Sequence, residues 1–516
     1  MTSLLAHRFF QHTAAACPDK AYLIAGEQRM TFAEVDHLSD CLAFELQHRQ
    51  GVGRGDRVAV MLENSVDVVV ALSATLKTGA VFVPLFSTLK KDKLAFIVRD
   101  SGARCVIAHI GSADRVTQAI AEAETACTVI WAGEKNAVTG RYLKDAFTDP
   151  FVPPRDLGTV SEDVCLLIYT SGSTGEPKGV MLTHANLCNN AAAISTYLRN
   201  TPADVVLCVL PLCYSYGLFQ IITGAYVGYT AVIERSFAYP KDVLKRVAAL
   251  RVTGFAGVPS MFTTLLQLAP FDGVDLSSLR YMTNAATPLA PAHILRLHAL
   301  LPKVDFFSMY GLSECTRVCY LDPAKVGRKP ASVGRPMPNC DVYLVDEHGQ
   351  RVADGEPGEL VVRGANVMRG YWRRPVETAR ALREGEIAGE KVLFTGDIFC
   401  MDEEGDLHFL GRKDDVFKSG GGKVSPREIE NVLYELEAIA EAAVVGIEDR
   451  GDVAIKAFVV VREGCELTEA AVRKHCKERL EPTLVPKFVE LRTALPKTDS
   501  GKITKAKLRQ PEVIPA

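Results

Sequence analysis

The sequence predicts an α/β protein: mostly parallel sheets covered by helices, then a β-rich part, then a small α/β segment. Three observations predict it. Strand-like and helix-like stretches alternate through residues 1–330. From Val333 to Leu410 the texture changes to short strands between turns rich in Gly, Pro and Asp. The chain has 516 residues, which exceeds one hydrophobic core, so two or more domains or lobes are expected.

The elements follow in order. Arg57–Leu62 reads as a strand, Val66–Lys77 as a helix and Ala80–Leu85 as the next strand. Ser101-Gly102 precedes another strand at Arg104–His109. The apolar run Val164–Tyr169 reads as a buried strand. In the β-rich part, Asp341–Val345, Glu359–Val362 and Leu407–Leu410 are strand candidates, separated by turns such as Asp354-Gly355-Glu356-Pro357-Gly358. A charged junction, Gly411-Arg412-Lys413-Asp414-Asp415, leads into the last segment. There Ser425-Pro426-Arg427-Glu428 reads as a capped helix start. Ile429, Val432, Leu433 and Leu436 continue it at helical spacing. Ala442–Ile447 and Ile455–Val461 read as strands, and Glu469–Leu480 as a helix.

Composition narrows the class. Hydrophobic residues make up 48% and charged residues 23%, which is globular. The net charge is −3, so no nucleic-acid partner is expected. The longest mostly apolar stretches, such as Ile221–Ile233, are too short and too broken for membrane insertion. His7, Arg8 and His12 interrupt what would be an h-region, so no signal peptide is expected. The 14 cysteines are scattered without a Cys-x-x-Cys pair. Cys315 and Cys319 have no second pair beside them, so buried reduced thiols and a cytoplasmic location are expected.

Directly after the run ending at Tyr169 comes Thr170-Ser171-Gly172-Ser173-Thr174-Gly175-Glu176-Pro177-Lys178-Gly179. Such a loop puts few side chains in the way, and its backbone N–H groups can close on phosphate oxygens. The hydroxyls add donors and Lys178 a positive charge. It is not a Walker A loop, because no Gly-Lys-Ser/Thr closes it. Composition alone would also suit a plain Gly/Ser turn; what lies downstream weighs against that.

Together with Met309–Glu314 (Met-Tyr-Gly-Leu-Ser-Glu), Gly358–Gly364, Thr395-Gly396-Asp397, Gly411–Asp415, Lys418–Pro426 and Pro496–Lys502, this loop resembles the adenylate-forming superfamily. That superfamily comprises acyl-CoA synthetases, carrier-protein adenylation domains and luciferases. The likeness covers essentially the whole chain. It implies an N-terminal domain over 1–411, built of two βαβ-type subdomains and a β-rich subdomain. It also implies a hinge at 412–415 around Asp414, and a small mobile α+β domain over 416–516. The implied reaction has two halves. A carboxylate attacks the α-phosphate of ATP, giving an acyl-adenylate and pyrophosphate. A thiol then displaces AMP.

The resemblance assigns roles. Thr170, Ser171, Gly172, Ser173, Thr174, Gly175 and Lys178 match the phosphate cradle. Glu314 matches the Mg²⁺ ligand, and a carboxylate suits that hard cation. Tyr310 with Gly311 matches the adenine face, and Ser313 a hydroxyl to the α-phosphate. Asp397 matches the acid on the ribose hydroxyls, since two acceptor oxygens fit a vicinal diol. Arg412 matches a second ribose or phosphate contact, and Lys502 the lysine that enters the site for adenylation. Ser419, Gly420, Gly421 and Gly422 match the loop beside the pantetheine channel of coenzyme A.

The acyl pocket is expected from Tyr214, Ser215, Tyr216, Phe219, Gly257, Val258, Ala285, Ala286 and Val318. Many acyl-CoA synthetases read Leu-Pro-Leu-x-His-x-Tyr-Gly where this chain has Leu210-Pro211-Leu212-Cys213-Tyr214-Ser215-Tyr216-Gly217, so Tyr214 replaces the histidine. Pro211–Ile222 contains no acid to pair a substrate ammonium, and an unpaired buried ammonium costs several kcal/mol. That argues against an α-amino acid and for a hydrophobic carboxylic acid. CoA is the expected acceptor, because no extra insertion lies between Gly334 and Arg412. An acyl carrier protein as acceptor, or an enzyme retaining only one half-reaction, is the alternative, and homo-oligomerisation stays open. A nucleotide binder without catalysis would lose Lys502, Glu314 or Asp397; all three are present.

Overall fold

The computed structural model describes residues 4–135, 138–171, 176–271, 273–419, 422–449, 452–497 and 503–509. Its large part holds two sheets. The first has eight strands in the order Gly370–Tyr371, Pro177–Thr183, Val164–Ser171, Val81–Leu85, Arg57–Met61, Cys105–His109, Thr128–Ala132, Arg141–Tyr142. From Val164–Ser171 onward every neighbour is parallel. Its central strands are buried on both faces, as their unbroken Val/Ile/Ala runs require.

The second sheet begins as a parallel series. Ala21–Ala25, Thr230–Ile233, Val205–Cys208, Gly254–Gly257, Tyr281–Asn284 and Asp305–Tyr310 lie side by side. Leu23 stands opposite Ala231 in this register. The sheet then turns antiparallel through Cys319–Tyr320 and Ser332–Pro336. It continues into Leu407–Arg412, Lys391–Met401, Gly358–Gly364 and Cys340–Val345. The β-rich part is thus an edge extension of the second sheet, and Asp305–Tyr310 is where parallel gives way to antiparallel.

Helix Val66–Lys77 has the bounds its sequence predicts. It is buried along its length, so its Val/Ala/Leu composition serves packing all round. Its end is anchored by Lys77, whose buried ammonium pairs with Asp36 at 2.7 Å and Asp40 at 2.6 Å. Two helices open with reciprocal caps, Thr31 with Glu34 and Thr183 with Asn186. An ionic cluster ties the Pro323–Pro336 region to the turn before Leu407. Lys329 reaches Asp402 at 2.7 Å and Asp406 at 2.8 Å, Lys325 reaches Asp406 at 2.6 Å, and Arg328 reaches Glu404.

The last part has its own core. Strands Ile439–Asp449 and Asp452–Val461 pair antiparallel, and Phe488–Arg492 adds a parallel strand. Helices Pro426–Leu433 and Glu469–Arg479 bury Ile429, Leu433, Val472 and Cys476 against them. One detail departs from the sequence reading. Ser425 is the first-turn flank of its helix, but its hydroxyl does not cap it. The hydroxyl donates to the Leu410 carbonyl instead, because the chain here doubles back on strand Leu407–Arg412. The last part rests on helix Pro291–Leu300: His293 meets the Tyr434 ring at 5.8 Å, and Arg427 donates to the Pro288 carbonyl at 3.2 Å. All fourteen cysteines are free thiols. Among the described residues no helix is long and apolar enough to cross a membrane.

Candidate active site

The glycine and hydroxyl loop is the tip of a β-hairpin. Thr170 stands opposite Lys178, and Ser171 opposite Pro177. Gly172, Ser173, Thr174 and Gly175 lie outside the described residues. The hairpin is held from the side. Tyr169 donates to Asp100 at 2.7 Å, the Trp372 ring N–H to the Asp100 carbonyl at 3.0 Å, and Arg374 pairs with the Asp100 carboxylate at 3.2 Å. The backbone N–H groups of Arg369 and Trp372 donate to Met181 and Gly179 carbonyls. The short strand Gly370–Tyr371 therefore closes the edge of the hairpin.

Strand Asp305–Tyr310 delivers the second group. Past Tyr310 the chain folds back so that the Val318 N–H donates to the Tyr310 carbonyl at 3.0 Å and the Thr316 N–H to the Leu312 carbonyl at 2.7 Å. A Cβ on Gly311 would sit 2.4 Å from the Thr316 carbonyl oxygen, so this turn admits only glycine without backbone movement. Glu314 is held near its carboxylate by Tyr371, whose hydroxyl donates to Oε1 at 2.8 Å. Burial and that carboxylate push the Tyr371 phenol well above its ordinary range. The same ring lies 5.7 Å from the Lys178 ammonium. Glu314, Tyr371 and Lys178 thus form one cluster. Tyr371 was not among the sequence-predicted residues, and no local motif marks it.

A second cluster stands at the other end of this turn. The Tyr310 hydroxyl donates to Asp397 Oδ2 at 2.6 Å. Arg412 Nε lies 3.2 Å from Asp397 Oδ1, and the two residues are cross-strand partners. Burial and the Asp397 carboxylate push the Tyr310 phenol above its ordinary range. Its ring packs edge-on to Phe399 at 4.8 Å. Asp397 is set by a bulge at Thr395-Gly396-Asp397 within strand Lys391–Met401, where Gly396 has φ 71°, and Glu359 braces that bulge. Glu359 Oε1 accepts from the Gly396 N–H at 3.1 Å, and Oε2 from Lys413 at 2.9 Å. Glu359 is buried and joins this bulge to the 412–415 junction; it too escaped the sequence reading. Ser313 is partly exposed and Asp414 exposed. Ser419 is tied by its hydroxyl to the Val453 carbonyl and stands opposite Gly422. Gly420, Gly421 and Lys502 lie outside the described residues.

The expected acyl-pocket residues surround the start of helix Ser215–Val227. A Cβ on Gly217 would be 2.4 Å from the Pro211 carbonyl, so this glycine lets the helix start seat on strand Val205–Cys208 and its loop. Phe219, Ala285 and Val318 are buried, Val258 is half-buried and Ala286 is exposed. The Tyr214 ring meets Phe86 at 5.0 Å, and Phe262 crowds Gly257. The wall is not uniformly apolar, however. The Tyr216 hydroxyl is shared with the Thr283 carbonyl at 2.8 Å and its hydroxyl at 2.7 Å, and the Arg317 guanidinium lies 4.3 Å over the Tyr216 ring.

Could the site hold a metal? Among the described residues no group of three or more His, Cys, Asp or Glu is placed so that it could hold a metal ion by itself. One carboxylate, Glu314, is oriented by Tyr371, whose ring faces the Lys178 ammonium. That donor set fits Mg²⁺, which is commonly held by one or two carboxylates together with substrate phosphates and water.

Comparison with known proteins shows the family. The family model of the AMP-binding enzymes matches residues 10–372, and that of the AMP-binding enzyme C-terminal domain residues 428–502. The chain is 31% identical to a long-chain-fatty-acid–CoA ligase of Bacillus subtilis, over 97% of this chain and 93% of the relative. It is 36% identical to a feruloyl-CoA synthase of an Amycolatopsis species, over 94% of each. Among solved structures, an anthranilate CoA ligase in complex with anthranoyl-AMP superposes with a TM-score of 0.89 at 27% identity, over 98% of this chain and 96% of that one. A benzoate CoA ligase of Burkholderia xenovorans does so with a TM-score of 0.87 at 26% identity, covering 98% and 99%. The chain belongs to the AMP-binding enzymes of the adenylate-forming superfamily.

Proposed function

We infer that this chain is an acid–thiol ligase, an AMP-forming acyl-CoA synthetase acting on a carboxylic acid with a hydrophobic body. One observation carries the reading: the turn Tyr310–Glu314 joins a ribose-suited cluster (Tyr310, Asp397, Arg412) to a phosphate-suited one (Glu314, Tyr371, Lys178). A nucleotide fits along that turn with its sugar at one end and its phosphates at the other.

The first half-reaction proceeds by attack of a substrate carboxylate oxygen on the α-phosphorus of ATP, while the bond to the β-phosphate breaks and pyrophosphate leaves. Thr170 and Lys178 at the hairpin base bind phosphate oxygens, and Ser171, Ser173 and Thr174 add donors there. Asp397, oriented by Tyr310 and Arg412, accepts from the ribose hydroxyls. Glu314 would hold Mg²⁺, which neutralises phosphate charge when bound. Lys502 supplies a further cation in this half only. In the second half-reaction a thiolate attacks the acyl carbonyl and AMP leaves with the anhydride oxygen. The 412–415 junction, with Asp414 exposed, is the proposed pivot that exchanges Lys502 for the loop at Ser419–Gly422. The names of the relatives support CoA as the thiol. The cytoplasm is the expected compartment, on fourteen unpaired thiols.

The test is pyrophosphate release with ATP, Mg²⁺ and an acid panel, trapped by hydroxylamine, then repeated with CoA and with a phosphopantetheinyl carrier protein. Hydroxamate without thiol, and thioester only with CoA, is the expected result. Turnover with the carrier protein alone would assign the alternative acceptor. Failure to release pyrophosphate with any acid would overturn the reading.

A further inference from the structure

The expected acyl pocket has a polar end. Beside Tyr216 and Phe219 lies a cavity of about 30 Å³, walled by helix His184–Tyr197, helix Ser215–Val227 and the strands Tyr281–Asn284 and Asp305–Tyr310, which contribute Thr283 and Met309. Four buried side-chain atoms around it have no hydrogen-bond partner: Asn200 Oδ1, Gln220 Oε1, Thr223 Oγ1 and Arg317 Nε. Most buried polar groups in proteins are paired, so four such atoms around one cavity point to something that enters it.

Arg317 decides what enters. It is 6% exposed, and a buried guanidinium without an anion carries a large desolvation cost. Its Nη1 donates to the adjacent Thr316 carbonyl at 3.0 Å, the neutral Tyr197 hydroxyl interacts with it from helix His184–Tyr197, and its charge rests on the Tyr216 ring at 4.3 Å. Among the described residues no carboxylate lies within ion-pair distance of it. Asn200 Oδ1 and Gln220 Oε1 are acceptors that a neutral donor such as water would satisfy, but only an anion compensates the charge on Arg317. The cavity has room for about one water-sized group, too little for a ring or an alkyl tail. It suits a small anionic head attached to a longer body that already fills the apolar wall.

We propose that Arg317 selects acids carrying a second carboxylate at the end remote from the reacting one, so that the preferred substrates are dicarboxylic acids with a hydrophobic body. The proposal rests on the acid-activating function inferred above. Arg317 receives the remote carboxylate, Thr223 donates to it, and the reacting carboxylate stays free to meet ATP.

The experiment compares matched pairs: aliphatic monocarboxylates against α,ω-dicarboxylates of equal chain length, and benzoate-type monoacids against their carboxy-substituted counterparts. Adenylation is read as hydroxylamine-trapped pyrophosphate release, with wild type, Arg317→Met and Arg317→Lys. In wild type the diacid of the best pair is expected to exceed its monoacid by at least ~30-fold in kcat/KM, the lower range for a buried charge pair. Arg317→Met is expected to lose that preference while keeping or gaining monoacid activity, and Arg317→Lys to retain part of it. The free enzyme of Arg317→Met should melt no lower than wild type, because an unpaired buried charge has been removed. Monoacids preferred in every wild-type pair would overturn the proposal and leave acid activation standing. So would an Arg317→Met enzyme whose diacid-to-monoacid ratio is unchanged, as a site filled by water alone would give. No adenylation of any acid would instead overturn the parent reading, and this one with it.

Discussion

Replacing Tyr371 by Phe removes one oxygen atom and leaves almost everything else in place. The ring still lies 5.7 Å from Lys178, so the cation–π contact survives, and the backbone pairing of Tyr371 with Val180 is untouched. What disappears is the 2.8 Å donation to Glu314 Oε1. A hydrogen bond to a charged acceptor contributes about 1.5–3 kcal/mol, and each 1.4 kcal/mol is about tenfold. If Glu314 needs that bond to face the phosphates, kcat/KM for Mg·ATP in the adenylation half should fall about 10- to 100-fold, with the deficit largest at limiting Mg²⁺. Thioester formation from a supplied acyl-adenylate should change little. The measurement is pyrophosphate release across a Mg²⁺ titration, paired with a single-turnover thiolysis of the adenylate. Wild-type adenylation at every Mg²⁺ concentration would refute the positioning argument. An equal loss in both halves would refute the assignment of Glu314 to the first.

Other perturbations separate the remaining parts. Lys502→Ala should lower adenylation by roughly 10²–10³-fold, the scale of one transition-state electrostatic contact; thiolysis of a supplied adenylate should be much less affected, and a parallel fall in both would count against domain alternation. Gly311→Ala places a methyl 2.4 Å from a backbone carbonyl oxygen, so about 1–3 kcal/mol of overpacking should appear as a lower melting temperature together with a raised KM for ATP. The Lys325–Lys329 cluster should make stability sensitive to acid. Hydrogen bonds from Arg328 and Lys329 hold Glu404 down to about 2. At Asp402 and Asp406 burial works the other way, but donation from Lys329 with His408, and from Lys325 with Lys329, outweighs it and lowers both. Carboxyls depressed in the fold stabilise it above their unfolded range near 4, and that stabilisation is lost as pH falls through the depressed values. The melting temperature of Asp402→Asn should therefore depend less steeply on pH than that of wild type between about pH 5 and 3; parallel slopes would contradict the cluster's role.

Much of this was legible in the sequence, and the failures share a cause. Helix Val66–Lys77 was readable to the residue because an apolar run ends at a Gly-containing turn, which is local information. The strand leading into the glycine- and hydroxyl-rich segment was readable as an apolar run, and the Tyr310–Glu314 turn carries a glycine whose backbone position admits no side chain, again local information. Tyr371 acts on a residue 57 positions away, and Glu359 braces Lys413 at a separation of 54. Nothing near either residue announces its partner. Ser425 misled for a related reason. Its neighbours spell a cap, but a strand brought alongside by the fold offered its hydroxyl a closer acceptor. Arg317 stands next to Val318, which was expected in the acyl pocket, yet only burial distinguishes a specificity group from a solvated arginine. The continuation of the second sheet into the β-rich part was likewise invisible, since strand order is a tertiary fact.

The pairing of Leu23 with Ala231 has a consequence for synthesis. The strand Ala21–Ala25 finds its parallel partner only after roughly 200 further residues have left the ribosome, which takes ~10–40 s at about 5–20 residues per second. The first sheet's strands between Arg57 and Thr183 can associate during that interval, but Tyr22 and Leu23, which are 0% exposed in the finished protein, cannot yet be covered by theirs. The nascent chain thus carries an uncovered apolar leader while its middle folds. Slowing elongation before codon 233 should lengthen the period in which a chaperone can bind that leader, whereas slowing it afterwards should not.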